Sequence, residues 1–232
     1  MAGGVTSNSV RALAVLVAVW LALAAAVAVG SWQHAKGPEN ERPQERGTAA
    51  GLTTYGVPSA GFTIAVPESW QAFTADEVFA DSEALDRLTR ENPELAQFRD
   101  ALADPRSPIK LIAADPDVRS GFAANVNVIA QKVPDGYSFE DFARANEAEI
   151  RSIAGGAGDL KREIVELPVG RAQRLAYHTQ FTMNGQDRSF AMLQYGLVAN
   201  GRSYILTYTT LREFADEYEN DFERSARSFG FG

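Results

Sequence analysis

Hydrophobic positions follow three regimes along the chain. From Ala12 to Gly30, nineteen consecutive residues carry no charge and no polar side chain except the indole of Trp20. A helix of that length is about 28 Å long, close to the roughly 30 Å hydrocarbon core of a bilayer. From Ser31 to about Ala60 the apolar period disappears and Gly, Pro and charge take over, the composition of a flexible tether. From Gly61 onward, the period of two expected of strands and the 3.6-residue period expected of helices alternate to the end of the chain.

Within that last region, Gly61 to Trp70 alternates Phe62, Ile64 and Val66 against Thr63 and Ala65 before Pro67, and reads as a first strand. Ser82 to Leu102 reads as two short helices, with Asn92 as cap and Pro93 at the first position of the second. Strands are expected at about Ile109 to Ala114 and Phe122 to Gln131. In the second, Phe122, Ala124, Val126, Val128 and Ala130 share a core face opposite Asn125, Asn127, Ile129 and Gln131. Tyr137 to Phe142 has the form of a helix start, with Ser138 as cap, Asp141 three residues on, and Tyr137 and Phe142 as a hydrophobic staple.

Leu160 to Thr210 predicts four strands in succession, turning at Pro168-Val169-Gly170, Asn184-Gly185 and Asn200-Gly201. Asn-Gly is a strong hairpin signal because both residues accept positive φ. Thr210 and Glu213 then read as a capping box opening a last helix, with Phe214, Tyr218, Phe222 and Phe229 along one face. Long antiparallel runs with helices between them predict an α+β fold: a twisted antiparallel sheet flanked by helices, ending in a four-strand meander and a C-terminal helix. The domain organisation is then 1–11 tail, 12–30 membrane anchor or signal peptide, 31–60 tether and 61–232 folded domain.

Composition narrows the function. The chain has no cysteine, which removes disulfides, thiolate metal sites and cysteine nucleophiles. Its formal net charge is -8, and Arg11 is the only charged side chain ahead of the apolar run, so the acidic excess lies beyond Gly30. Acidity argues against nucleic acid as a partner and against docking of the folded domain on anionic lipid. The apolar run is expected to be an uncleaved single-pass anchor in the cell membrane. Ala26-Val27-Ala28 also suits signal peptidase, in which case the protein would be secreted. Arg11 on one side and Lys36, Arg42 and Arg46 on the other leave local charge undecided on orientation. The usual geometry of N-terminal signals places the domain outside the cytoplasm.

Two segments carry a family resemblance: the opening GFTIAVPESW, and the ending GRSYILTYTT followed by EFADEYENDFERSARSFGF. With the order of elements they resemble the PsbP-like superfamily, which takes in PsbP itself, Ran-binding Mog-type proteins and LpqN-type bacterial lipoproteins. The resemblance implies a twisted antiparallel sheet flanked by helices and members that act by binding proteins, without a common catalytic centre. It brings no site residues, because the matching segments are core packing and strand ends. The lipidation cysteine of the lipoprotein relatives is missing here, so a protein anchor would replace the lipid.

Candidate chemistry is sparse. The run Ala154-Gly155-Gly156-Ala157-Gly158 lacks the Lys-Ser/Thr ending of a phosphate-binding loop. His34 and His178 have no cysteine to activate, and Asp115-Pro116-Asp117 departs from calcium-loop spacing and reads as a solvated turn. No catalytic residue, metal site or cofactor is assigned. One polar grouping remains as a ligand- or partner-binding candidate: Arg174, His178 and Gln180 on one strand with Asn125, Asn127 and Gln131 on another. These form one patch if the two strands share a sheet in the right sense; a solvent-facing sheet surface is the preferred reading of the same residues. The expected function is a non-enzymatic, extracytoplasmic binding or accessory protein with an envelope protein as partner. The alternative is a small-molecule or lipid carrier whose pocket, between sheet and helices, would be lined by Tyr137, Tyr177, Tyr195, Tyr204, Tyr208 and Tyr218.

Overall fold

A computed structural model describes residues 51–76, 107–153, 159–183 and 186–232. The apolar run, the two helices expected between Ser82 and Leu102, the glycine run from Ala154 and the Asn184-Gly185 turn lie outside them. In chain order the elements are β1 (Leu52–Val57), β2 (Phe62–Pro67), β3 (Gln71–Thr74), β4 (Ile109–Ala114), β5 (Asn125–Lys132), α1 (Phe139–Ile153), β6 (Lys161–Leu167), β7 (Gly170–Met183), β8 (Gln186–Ala199), β9 (Arg202–Leu211), α2 (Ala215–Arg227) and β10 (Gly230–Phe231). Seven strands form one antiparallel sheet in the order β3-β4-β5-β9-β8-β7-β6, and β1-β2-β10 form a second, smaller one. The fold is α+β, as the sequence predicts.

The hairpin between β8 and β9 turns at Asn200 and Gly201, both at positive φ (53° and 69°), the conformation that Asn-Gly tolerates at little steric cost. Its register pairs Ala199 with Arg202 and runs without a break to Phe190 opposite Leu211. Helix α1 begins as expected: the Asp141 amide donates to Ser138 Oγ at 3.0 Å, and Tyr137 packs on the cluster that contains Phe142.

Besides β3 and β10, which the sequence reading did not mark, and Phe229, which follows α2 rather than lying on it, three boundaries differ from the sequence reading, each for a physical reason. Residues Leu52–Val57, inside the stretch expected to be tether, pair with β2 along its whole length. Leu52 and Val57 are buried there, but only two apolar anchors in a Gly- and Thr-rich hexapeptide leave little periodic signal. Phe122 precedes β5 in an isolated bridge with Arg119, because Ser120 and Gly121 turn the chain at positive φ. The capping box at Thr210 does not form. Thr210 stays buried in β9 opposite Ala191, Glu213 accepts a hydrogen bond from Ser120 Oγ, and α2 starts at Ala215 without a side-chain cap. Continuing the ladder through Leu211 outweighs a cap, which contributes only about 1 kcal/mol.

Both faces of the large sheet are covered in its middle. On one, α2 and the small sheet bury an aromatic seam: Phe62 stacks on Phe229, Tyr208 tilts over Phe222, and Trp70 meets the edges of Tyr218 and Phe222. On the other, α1 crosses β8 so closely that a Cβ added at Gly196 would lie 2.6 Å from Cε1 of Phe142. The central strands are therefore buried on both sides, apolar under α2 and carrying buried polar side chains such as Asn127, Thr207 and Gln194 under α1.

Gly196→Ala is predicted to destabilise the domain by about 1–3 kcal/mol through overpacking against the fully buried Phe142 ring. Urea unfolding measures the loss, and the double variant with Phe142→Leu should recover part of it.

Candidate functional site

Strand parity decides which polar residues can meet. Following the pairings across the sheet, Asn127 stands opposite Thr207, Thr207 opposite Gln194, and Gln194 opposite Leu175. The neighbouring row is Val128, Leu206, Tyr195 and Arg174. Directly opposed residues share a face, and adjacent rows face opposite ways. Asn125, Asn127 and Gln131 therefore lie on the α1 face, whereas Arg174, His178 and Gln180 lie on the α2 face. The patch expected from the sequence is split between the two sides of the sheet, and β9 and β8 also separate the strands that carry it. The solvent-facing reading needs the same correction for β5, since Asn125 and Asn127 are buried.

On the α2 face, Arg174 is the hub of an ion network. Its Nε donates to Glu223 Oε1 at 3.1 Å and to the Tyr195 hydroxyl at 3.3 Å, and its terminal nitrogens lie 3.0 Å from Glu223, 3.4 Å from Glu163 and 3.8 Å from Glu219. Burial opposes its charge, but the Tyr195 contact and the Glu223 carboxylate more than offset this and hold its pKa above the ordinary value. Burial in turn pushes the Tyr195 hydroxyl up to about 12. Beside this network, His178 Nδ1 lies 3.9 Å from Asp159 Oδ2 without a hydrogen-bond partner. Gln180 lies farther along β7, its amide reaching Ser189 Oγ across the strand pair at 3.4 Å.

Arg174 and His178 open onto a cleft of about 620 Å³, lined also by Asp159, Lys161, Ala176, Ala191, Asp216 and Glu219. The cleft exists because α2 packs over β2, β9 and β8, leaving the α2 face of β7 partly uncovered. Its rim is mainly acidic, and Arg174 is already committed to its own carboxylates. Ala176 and Ala191 form its floor, with Leu160, Leu193 and Phe222 also bordering it. Of the tyrosines considered for a carrier pocket, Tyr195, Tyr204, Tyr208 and Tyr218 belong to the main core, Tyr137 packs against a third cluster, and Tyr177 belongs to a second buried cluster that borders the cleft.

The α1 face holds a polar layer that the sequence reading missed. Asn146 Nδ2 donates to Gln173 Oε1 at 2.9 Å and to Gln194 Oε1 at 2.8 Å. Gln173 Nε2 donates to the Ala143 carbonyl and Gln194 Nε2 to Thr207 Oγ1, and all three amides are fully buried. The available signal was Gln173 in the same alternating set as Leu175 and Tyr177, a polar residue in apolar parity. Around this layer the Glu149 Oε1, Tyr177 hydroxyl, Thr209 Oγ1 and Asn127 Oδ1 atoms are buried without partners. Desolvation alone lifts the Glu149 carboxyl to about 7, and burial, with Glu149 adding to it, raises Tyr177. Asn125 serves locally, donating to the Ala123 carbonyl.

The turn at Asp115 is structural: Oδ1 accepts from the Asp117 amide and Oδ2 from the Tyr218 hydroxyl at 2.7 Å. Among the described residues no group of three or more His, Asp or Glu side chains could hold a metal ion.

No family model and no curated protein matches the chain. Among solved structures it is similar to cyanobacterial PsbP (CyanoP) from Synechocystis, at 14% identity over 80% of this chain and 95% of that one, with a TM-score of 0.41. It is also similar to LpqN, described as involved in cell envelope biogenesis of Mycobacterium tuberculosis (10%, 72% and 81%, TM-score 0.42). A third is the Saccharomyces cerevisiae Ran-binding protein Mog1p (7%, 78% and 95%, TM-score 0.42). All three are among the proteins that the sequence resembles. The likeness is one of fold, and no residue is carried over from them.

Glu149 gives a pH prediction with a definite sign. Its folded pKa, about 7, is above the ordinary 4.5, so its protonated form favours the fold. That contribution is complete below about pH 4.5 and is lost as pH rises through 7, a change of up to about 3 kcal/mol. Thermal unfolding should show stability falling from about pH 5 to pH 8, and Glu149→Gln should flatten this dependence.

Proposed function

We propose that this chain is a non-enzymatic accessory protein that holds another protein in the cleft between β7 and the start of α2, with its N-terminal apolar segment keeping the domain at the outer face of a membrane. The observation that carries this reading is the off-centre position of α2. It leaves Arg174, Ala176 and His178 as a partly exposed floor beside a carboxylate-rich rim. The ion network around Arg174 holds that floor rigid, and a preformed surface loses little conformational entropy on binding.

The partner's chemistry follows from charge. Asp159, Asp216 and Glu219 line the cleft, and Glu163 and Glu223 neutralise Arg174, so a segment bearing Lys or Arg is favoured. Long-range attraction of this kind mainly raises the association rate and weakens with salt.

A photo-crosslinking residue at position 178, in the full chain within intact cells, should capture a discrete protein adduct, whereas the same residue at the exposed Lys132 should not. Ala176→Trp, which fills the floor, should reduce the yield severalfold, and lysates at roughly 0.3 M salt should yield less than those at low salt. Equal capture at positions 178 and 132, or none at 178, would remove the cleft as the binding surface.

A further inference from the structure

Strand β6 ends the seven-stranded sheet, with β7 on one side and no further strand among the described residues on the other. Lys161, Arg162, Glu163 and Glu166 are exposed, and Ile164 is 43% exposed, one of two large hydrophobics so placed among the described residues. A free strand edge is a template for pairing with another chain, and charges usually blunt it. On the face of β6 that carries Ile164, the flanking charges are opposite in sign, Arg162 before it and Glu166 after it. Pairing with β7 sets Arg162, Ile164 and Glu166 on the α1 face, with Lys161, Glu163 and Val165 on the α2 face.

We propose that β6 pairs antiparallel with β6 of a second copy of this chain, across a two-fold axis at Ile164, joining the two large sheets into one. An axis normal to the sheet keeps the faces matched, so each residue meets one on its own face. Centred on Ile164, the ladder sets Ile164 against Ile164 of the other copy and Arg162 against Glu166 twice on the α1 face, with Glu163 against Val165 and Lys161 against Leu167 on the α2 face. Opposite charges directly across a strand pair stabilise it, and like charges oppose it. A centre at Glu163 would face two carboxylates, and a centre at Val165 would lose both Arg162–Glu166 pairs and run Arg162 past the end of the strand onto Pro168.

The ion pairs of the folded chain agree with this register. Among the described residues Glu166 forms no ion pair, and Arg162 is held only by Glu147 of α1 at 3.3 Å. Arg162 can therefore bridge Glu147 and an incoming Glu166. Because the axis is normal to the sheet, both clefts open on the same side of the dimer. The pairing does not depend on what the cleft binds.

The chain has no cysteine, so single cysteines read the register directly. In the full chain, in membranes or detergent, Ile164→Cys should oxidise to a disulfide-linked dimer roughly tenfold more readily than Lys132→Cys, and more readily than Glu163→Cys or Val165→Cys, because only the residue on the axis meets its own copy at bonding distance. Arg162→Glu alone and Glu166→Arg alone should each sediment as monomers, and mixing them should restore a dimer, since each mismatched charge then meets its complement. Circular dichroism confirms that each variant is folded before it is scored. Crosslinking of Ile164→Cys no higher than that of Lys132→Cys, strongest crosslinking at 163 or 165, or no gain on mixing would overturn the proposal. These readouts involve only this chain, so they stand or fall apart from capture of a partner at position 178.

Discussion

The hairpin that joins β8 to β9 sets the sidedness of the whole domain. Asn200 and Gly201 hold its two-residue turn at positive φ, and a slip of one residue would exchange every side chain between faces. Tyr204, Leu206 and Tyr208 would then leave the aromatic seam for the layer beneath α1, while Gln194 and Thr207 would turn toward α2. With both faces buried, either exchange strands polar groups among rings and removes rings from their partners. The register is thus specified from two sides at once, and β5, β7 and the helices inherit it.

The two faces solve the packing problem differently. Under α2, rings from the small sheet, the large sheet and the helix meet edge-on or stacked, with the Tyr208 hydroxyl bonded to Ser225 and that of Tyr204 to the Ala60 carbonyl. Such pairs contribute roughly 0.5–1.5 kcal/mol each beyond the area they bury. Under α1 the contact is directional. Asn146 bonds to two glutamines on neighbouring strands, so α1 cannot rotate or slide without breaking buried hydrogen bonds. An unpaired buried polar group costs about 1–3 kcal/mol, and the orphaned atoms of Glu149, Tyr177, Thr209 and Asn127 make this layer the more delicate of the two.

The contacts proposed for this chain lie where coverage of the sheet stops. α2 packs over the middle of the sheet and leaves β7 and β6 to form the floor and flank of an acidic cleft, while the sheet beyond β7 ends in the edge strand β6, where Arg162 and Glu166 flank Ile164. The cleft proposed for a partner and the edge proposed for a second copy are neighbours in the fold, one left open by the position of α2 and the other by the strand order. An interface built this way needs no moving parts, because Arg174 is already fixed by Glu163, Glu219, Glu223 and Tyr195.

Periodicity and turn chemistry are local properties, and the chain alone determined what depends on them: β2, β4, the start of α1 at Ser138, the four-strand meander with its Asn-Gly turn, and the apolar face of α2. It also determined the acidic balance and the lack of cysteine chemistry. Only the tertiary structure decided that β1 leaves the supposed tether to pair with β2, because two apolar side chains are too few to announce a strand until a partner edge is present. Only the fold decided that Asn125 and Asn127 face α1 while Arg174 and His178 face α2. Each strand's alternation can be read from its residues, but the parity linking two strands passes through the pairings of β5 with β9, β9 with β8, and β8 with β7. Those registers are long-range contacts, and a linear pattern records which residues alternate without recording which side they share.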